Sequence, residues 1–562
     1  MLGAVAVLLV LGVWAAVAGA GVARHARAAQ AEVASVRTAV TSGDLGAAEA
    51  ATARASAETS AAAHDVDALP LVMASHVPGK LGEVVGALRT AVHAVDQAVS
   101  RGALPAVRSG GDALEAGVVR SDGSLDPAAL SRLAVQLRPA AQQAELARAS
   151  AAGIDPAGLP PGLSGRVQQA VDGVDQLADG LTRTEALLGA LPRVLGSDRP
   201  RTYLVGFQNT AELRPTGGII GTWALLDVTD GRFRLSDAGS NADDLERLTG
   251  PVRDFGAEYS ALYPAQQSSY SQNVGLSPHF PYAAQLLTDL WTAQGRPAPD
   301  GVIVLDPSGL APLLRGAGAV EVPGGPPVTA DDVVDVVLRQ AYDRFDGDNT
   351  GRKAYLTALV GAAFERGLGG GRWDAGRLAA LGTAVQDGHL QIWSADPDEE
   401  SALEAGGVAG SLPEPATGSA GVYLTNISAS KLDYYVHEQV QVTGGCSAPP
   451  TLSVGLRNDA PARVPEYVSN KLPGVDPTTE TLAVALYLPP GTRAAEVLVD
   501  GVEAEVETGT ERGWGVTRVS VAVPRGQAVT VQATLDGPVA PITEVHTQPL
   551  VHAAEVSAPG CS

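Results

Sequence analysis

Arg201-Thr-Tyr-Leu-Val-Gly-Phe207 decides how the middle of this chain folds. Its apolar run lacks the polar alternation of a half-exposed strand, the pattern expected where both faces of a sheet are covered. Thr222-Trp-Ala-Leu-Leu-Asp-Val228 and Asp300-Gly-Val-Ile-Val-Leu-Asp306 read as buried strands too. Tyr282 to Trp291 and Ala330 to Tyr342 carry helical patterning. Strands alternating with helices predict an α/β layered domain over 200–400, with helices packed on a central sheet. Gly231, in Thr229-Asp-Gly-Arg232, predicts a hairpin turn inside that sheet.

Toward the N-terminus the pattern changes. Residues 24–195 are Ala-rich, with apolar side chains at helical spacing, as in Leu81, Val84, Val85, Leu88 and Val92. Breaks at Ser42-Gly43-Asp44, Pro70, Pro105, Ser121-Asp122-Gly123 and Pro156 to Pro161 cut the region into segments suited to a helical bundle. It reads as a stalk or spacer. Before it, Leu2 to Ala23 is a run of 22 residues without a charge. A helix of that length spans roughly 33 Å, enough to cross a bilayer's hydrocarbon core. Residues 1–23 are therefore expected to be a retained transmembrane anchor. The alternative is a cleaved signal peptide, for which Ala18-Gly19-Ala20 supplies small residues.

Toward the C-terminus, 406–418 is rich in Gly, Pro, Ser and Ala and reads as a linker. Alternating runs follow at Tyr434 to Val442, Thr451 to Val454, Thr481 to Leu488, Glu496 to Val502, Thr517 to Val523 and Ala528 to Leu535. Short strands separated by turn clusters predict a β-sandwich over 421–562. The expected fold is thus multidomain α+β: membrane helix, Ala-rich helical bundle, central α/β layered domain and C-terminal β-sandwich.

The chain's 562 residues are 45% apolar and 18% charged, which excludes wholesale disorder. A net charge of −23 argues against a broad nucleic-acid surface. Only Lys80, Lys353, Lys431 and Lys471 are lysines, so nearly every cation is an arginine. No GxxxxGK[ST] loop, GxSxG elbow or HExxH pair occurs. Two cysteines, Cys446 and Cys561, are too few for a thiolate zinc cage. They are either unpaired thiols or a disulfide that pins the C-terminus in an oxidising compartment. Arg24, Arg27 and Arg37 follow the apolar run, and positive-inside counting alone would keep the body in the cytoplasm. Cysteine usage points the other way. The expected location is the cell membrane, single-pass, with the bulk of the chain extracytoplasmic.

The segment Tyr203-Leu-Val-Gly-Phe-Gln-Asn-Thr-Ala-Glu-Leu-Arg-Pro-Thr-Gly-Gly-Ile-Ile-Gly221 resembles the bacterial domain-of-unknown-function family 4012. Asp300 to Pro307, Leu310 to Val322 and Asn426 to Tyr435 (NISASKLDYY) support the resemblance. More faintly, the core resembles LytR–CpsA–Psr phosphotransferases, which move a polymer from a polyprenyl-pyrophosphate carrier to the cell wall. That likeness implies a phosphate-bearing, lipid-linked glycan as ligand, in envelope polysaccharide assembly or attachment. It also implies metal-assisted phosphotransfer as the reaction, with a divalent cation such as Mg²⁺. Glu212 and Arg214 then stand as catalytic candidates, Glu212 as metal ligand. Arg214, Gly217, Gly218, Arg344, Arg352 and Lys353 stand as phosphate binders, because arginine forks and approachable backbone N–H groups match phosphate oxygens. The chain departs from that pattern at Pro215-Thr216, where an aspartate is expected, and in Phe233 to Leu245, which lacks a Pro-Arg-Asp segment. The alternative function is a non-catalytic structural or adaptor protein that organises other envelope proteins.

Overall fold

The computed structural model describes residues 20–562 except 43, 121, 246, 249, 251–252, 264–268, 370–372, 446–448, 538–540 and 559–562. Most of the expected anchor and both cysteines of the candidate disulfide lie outside the described residues. Among the described residues no helix is long and apolar enough to cross a membrane.

The Ala-rich region folds into helices α1 (Ala20–Ser42), α2 (Leu45–Val66), α3 (Lys80–Gln97), α4 (Pro127–Ala151) and α5 (Pro161–Val194), with shorter helices between them. Two of these starts have a clear local cause. The Asp44 carboxylate accepts from Ala47 N at 2.8 Å, and Asp126 accepts from Ala128 N at 2.9 Å with Pro127 in the first helical turn. Small side chains such as Ala29, Ala55, Ala98 and Ala144 form the shared core, so the helices approach closely. The bundle does not stand apart from the rest. Val118, Leu130, Val194 and Leu195 belong to the same core as Tyr203 and Val205 of the central sheet. The spacer expected from sequence is a packed partner of the α/β domain.

The central sheet contains β1 (Arg201–Arg214), β2 (Gly217–Thr229), β3 (Arg232–Ser240), β4 (Gly301–Leu305) and β5 (Leu390–Ser394), in the order β3-β2-β1-β4-β5. Only β1 and β4 run parallel, from Tyr203 opposite Gly301 to Phe207 opposite Leu305. Alternate residues of β1 serve opposite faces. Tyr203, Val205 and Phe207 pack with Leu310 and Leu313 of α7 (Pro307–Leu314) and Leu359 and Phe364 of α8 (Asn349–Gly369). Leu204, with Val302 and Val304 of β4, packs on the other side against Leu286, Leu290 and Trp291 of α6 (Phe280–Ala293). Helices on both faces make the layered α/β arrangement.

At the β2–β3 turn, Asp230 and Gly231 both take positive φ (49° and 72°), the geometry of a type I′ hairpin. Gly231 also bears the docked helical region, since its carbonyl accepts from Leu125 N at 3.1 Å and its N–H reaches Leu195 O at 2.8 Å. A β-carbon there would lie 1.9 Å from the Leu125 carbonyl oxygen. Gly231→Ala is therefore expected to destabilise the protein by about 2 kcal/mol, read as a lowered denaturant midpoint. An unchanged midpoint would mean the bundle is not held at this turn.

The C-terminal region holds two sheets around one core. The first comprises β7 (Val436–Thr443), β8 (Thr451–Asn458), β10 (Arg493–Val499), β11 (Val502–Glu503), β14 (Ala528–Asp536) and β16 (Glu555–Ser557). The second comprises β6 (Ser419–Asn426), β9 (Glu480–Leu488), β12 (Glu507–Glu511), β13 (Trp514–Val523) and β15 (Glu544–Thr547). Leu213 of β1 enters this core, so the central sheet is rooted in the C-terminal one. The 406–418 stretch is not a free linker. Val408, Ala409 and Leu412 are buried, Ile392 N donates to Val408 O at 3.0 Å, and the Trp514 indole donates to Pro413 O at 2.8 Å.

Candidate functional site

Beyond Phe207, β1 leaves the regular ladder. Asn209 lies opposite Ile219, but the next pair is Leu213 opposite Gly218, so Thr210, Ala211 and Glu212 bulge outward. Asn209 holds the bulge: its Oδ1 accepts from Ala211 N at 3.0 Å and its Nδ2 donates to Glu212 Oε2 at 3.0 Å. The bulge also explains Gly218, where a β-carbon would meet Asn209 O at 2.1 Å. Gly217 takes φ +128° beyond the Pro215-Thr216 hairpin turn. The two glycines thus let β1 and β2 close on each other. The stretch expected to bind phosphate through Arg214, Gly217 and Gly218 is a strand, a bulge and a tight turn.

The bulge aims Glu212 into a hollow of about 240 Å³. Its walls come from the carboxyl ends of the parallel strands β1 and β4, from the start of α7, from Tyr342 and α8, and from Lys431 and Tyr467 of the C-terminal region. Carboxyl ends of parallel strands are where open α/β sheets place ligands. Lys431 Nζ forms an ion pair with Glu212 Oε2. Burial pulls the lysine's pKa down, yet the facing carboxylate outweighs that and holds it above its ordinary value. Tyr342 Oη accepts from Asn209 Nδ2 at 3.0 Å. Asp306, at the mouth of α7, is committed twice: Oδ1 accepts from Gly309 N at 2.8 Å and Oδ2 lies 2.6 Å from His389 Nδ1.

Arg352, on α8, is different. It is 4% exposed, and its Cζ sits 3.7 Å from the ring centroid of Tyr467 and 4.7 Å from that of Tyr342. The two rings lie nearly parallel, 17° apart. Their contact covers the guanidinium without using its in-plane N–H donors. Among the described residues those donors have no hydrogen-bonded or ion-paired acceptor. Arg352 lines the hollow, where an anion can complete it.

Other residues expected at the site fall elsewhere. Arg214 is buried outside the hollow, with its guanidinium spent on Gln272 O at 3.1 Å, Leu213 O at 2.9 Å, Asn426 O at 3.0 Å and Asn273 Oδ1 at 3.3 Å. Burial lowers its pKa from the ordinary arginine value. With its donors so engaged it is a structural tie between β1 and the C-terminal region, not a phosphate fork. Gly217 and Gly218 also lie outside the hollow, and their backbone serves the hairpin. Arg344 is exposed and reaches Gly324 O at 3.4 Å, again away from the hollow. Lys353 is exposed at the rim and Arg352 stands within, so the second stretch of cations does reach one wall.

The implied metal does not fit these donors. A Mg²⁺ site wants carboxylate and other oxygen donors free to bind it. Here Glu212 Oε2 is clasped by Lys431 and Asn209, and Asp306 by His389 and a helix N-terminus. Among the described residues no group of three or more His, Cys, Asp or Glu side chains gathers that could hold an ion.

Lys431, Tyr467 and Tyr342 escaped the sequence reading as site residues. One signal was available, because Lys431 is a rare lysine and falls inside the NISASKLDYY segment. No match was found among curated proteins or among solved structures. Residues 198–342, which carry β1 to β4 and end on the Tyr342 ring of the hollow, match the model of the family described as a protein of unknown function (DUF4012).

Proposed function

We propose that this is a membrane-anchored, extracytoplasmic protein whose hollow binds a phosphate-bearing, lipid-linked glycan during envelope polysaccharide assembly or attachment. The observation that carries the reading is Arg352, a buried guanidinium that lines the hollow and, among the described residues, has no hydrogen-bonded or ion-paired acceptor. Phosphate oxygens match that fork bidentately. Lys353 at the rim adds a second cation. The apolar Leu2 to Ala23 segment supports the membrane assignment, and the faint likeness to polymer-transferring enzymes supports the glycan. The C-terminal region supplies Lys431 and Tyr467, so in this reading it is part of the binding site.

Titrating the full chain in detergent with a polyprenyl-phosphate sugar tests this. Arg352→Gln is expected to weaken binding about tenfold or more, the loss of one charge-assisted pair. Its cooperative thermal unfolding is expected to be retained, which separates a lost ligand contact from a lost fold. Unchanged affinity in Arg352→Gln would reject the proposal.

A further inference from the structure

The charges lining the hollow can be followed one by one. Glu212 is cancelled by Lys431, and Asp306 is turned to His389 and the first turn of α7. Among the described residues what remains is positive, Arg352 inside and Lys353 at the rim. A pyrophosphate held through a divalent cation needs the reverse, a wall with free carboxylate oxygens to share the metal. We infer that the hollow binds its anion directly and without a metal: a single phosphoryl group, of one to two negative charges, seated on the Arg352 fork. This rests on the function proposed above and narrows its ligand to a phosphate ester recognised by cations alone. A guanidinium held with its Cζ 3.7 Å from the Tyr467 ring centroid is restrained before any ligand arrives, so less ordering is left to occur on binding.

Glu212 gives the inference a sign that a metal site cannot share. If the carboxylate held a cation for the phosphate, Glu212→Gln would lose binding. If it only neutralises Lys431, the same change frees a second cation beside Arg352 and binding stays level or tightens. The test measures full-length protein in detergent by calorimetry, with a polyprenyl-phosphate sugar and with inorganic phosphate, each in EDTA and in magnesium. The expected result is the same affinity in both buffers to within about twofold, with Arg352→Gln losing about tenfold or more in each. Stronger binding of the lipid-linked sugar than of inorganic phosphate, in both buffers, supports the inference with the lipid as source. Equal binding of the two supports it with free phosphate as source. Binding that appears only with magnesium, or that Glu212→Gln abolishes in a folded protein, overturns the metal-free site and leaves the proposed function standing. Absence of any binding in either buffer overturns both. The buffer comparison uses the unaltered chain, so the outcome stands even if the Glu212 variant fails to fold.

Discussion

Arg214→Ala is expected to cost about 3–5 kcal/mol of stability, the range for stripping one partner from a buried charged network. The guanidinium binds three main-chain carbonyls and the Asn273 side chain, from β1, from the segment around Gln272 and from the end of β6. Removing it orphans buried acceptors that no alanine can satisfy. Arg214→Lys is expected to lose a smaller share, because one ammonium cannot span acceptors set for a fork. Denaturant unfolding followed by tryptophan fluorescence measures both. A variant with native stability and selectively lost phosphate binding would instead make Arg214 a ligand.

Glu438 carries the opposite expectation. It lies on β7 at 3% exposure, and neither carboxylate oxygen has a partner among the described residues. Its strand neighbours Val436 and Val440 point into the same core. Burial pushes its pKa from 4.5 up to about 8. The folded state therefore holds the proton more tightly than the unfolded chain does. The stability this group contributes is fully present below its unfolded pKa and is lost as the pH rises toward the folded value. At neutral pH the loss amounts to about 3 kcal/mol. Glu438→Met, close in volume and apolar, is expected to be more stable than the parent by about that much near neutral pH, and by clearly less near the unfolded pKa of 4.5. Midpoints measured for parent and variant at both pH values decide it. A gap independent of pH would show that Glu438 is charged or paired in the folded protein.

Tyr203 to Phe207 and Val302 to Leu305 could be read as strands because both faces of the sheet are covered, which leaves a continuous apolar run. Asp230-Gly231 could be read as a hairpin because the turn demands positive φ at adjacent residues. Gln208 to Arg214 could not be read as strand. Its polar side chains look like a loop, yet Gln208, Thr210 and Arg214 are buried and their elements are held by distant groups, such as Asp433 Oδ2 accepting from Leu213 N at 2.8 Å. Arg352 shows the same limit at the site. In sequence it is one charge on a helix, and its burial depends on Tyr467, more than a hundred positions later. Glu212 was recognisable as a candidate, but the lysine that neutralises it comes from the C-terminal region. Local pattern marks the strands, whereas long-range pairing decides which charges are spent and which stay open.

The most direct measurement is the position of a bound oxyanion. Crystals of the full chain soaked in arsenate, a phosphate analogue, would show it as an anomalous scattering peak at the arsenic edge. The peak is predicted inside the hollow, about 3 Å from the Arg352 guanidinium nitrogens and with Tyr467 still stacked on that group. A hollow without the peak, with Arg352 closed onto a protein carboxylate or the arsenate lying against Arg344, would contradict the binding site described above.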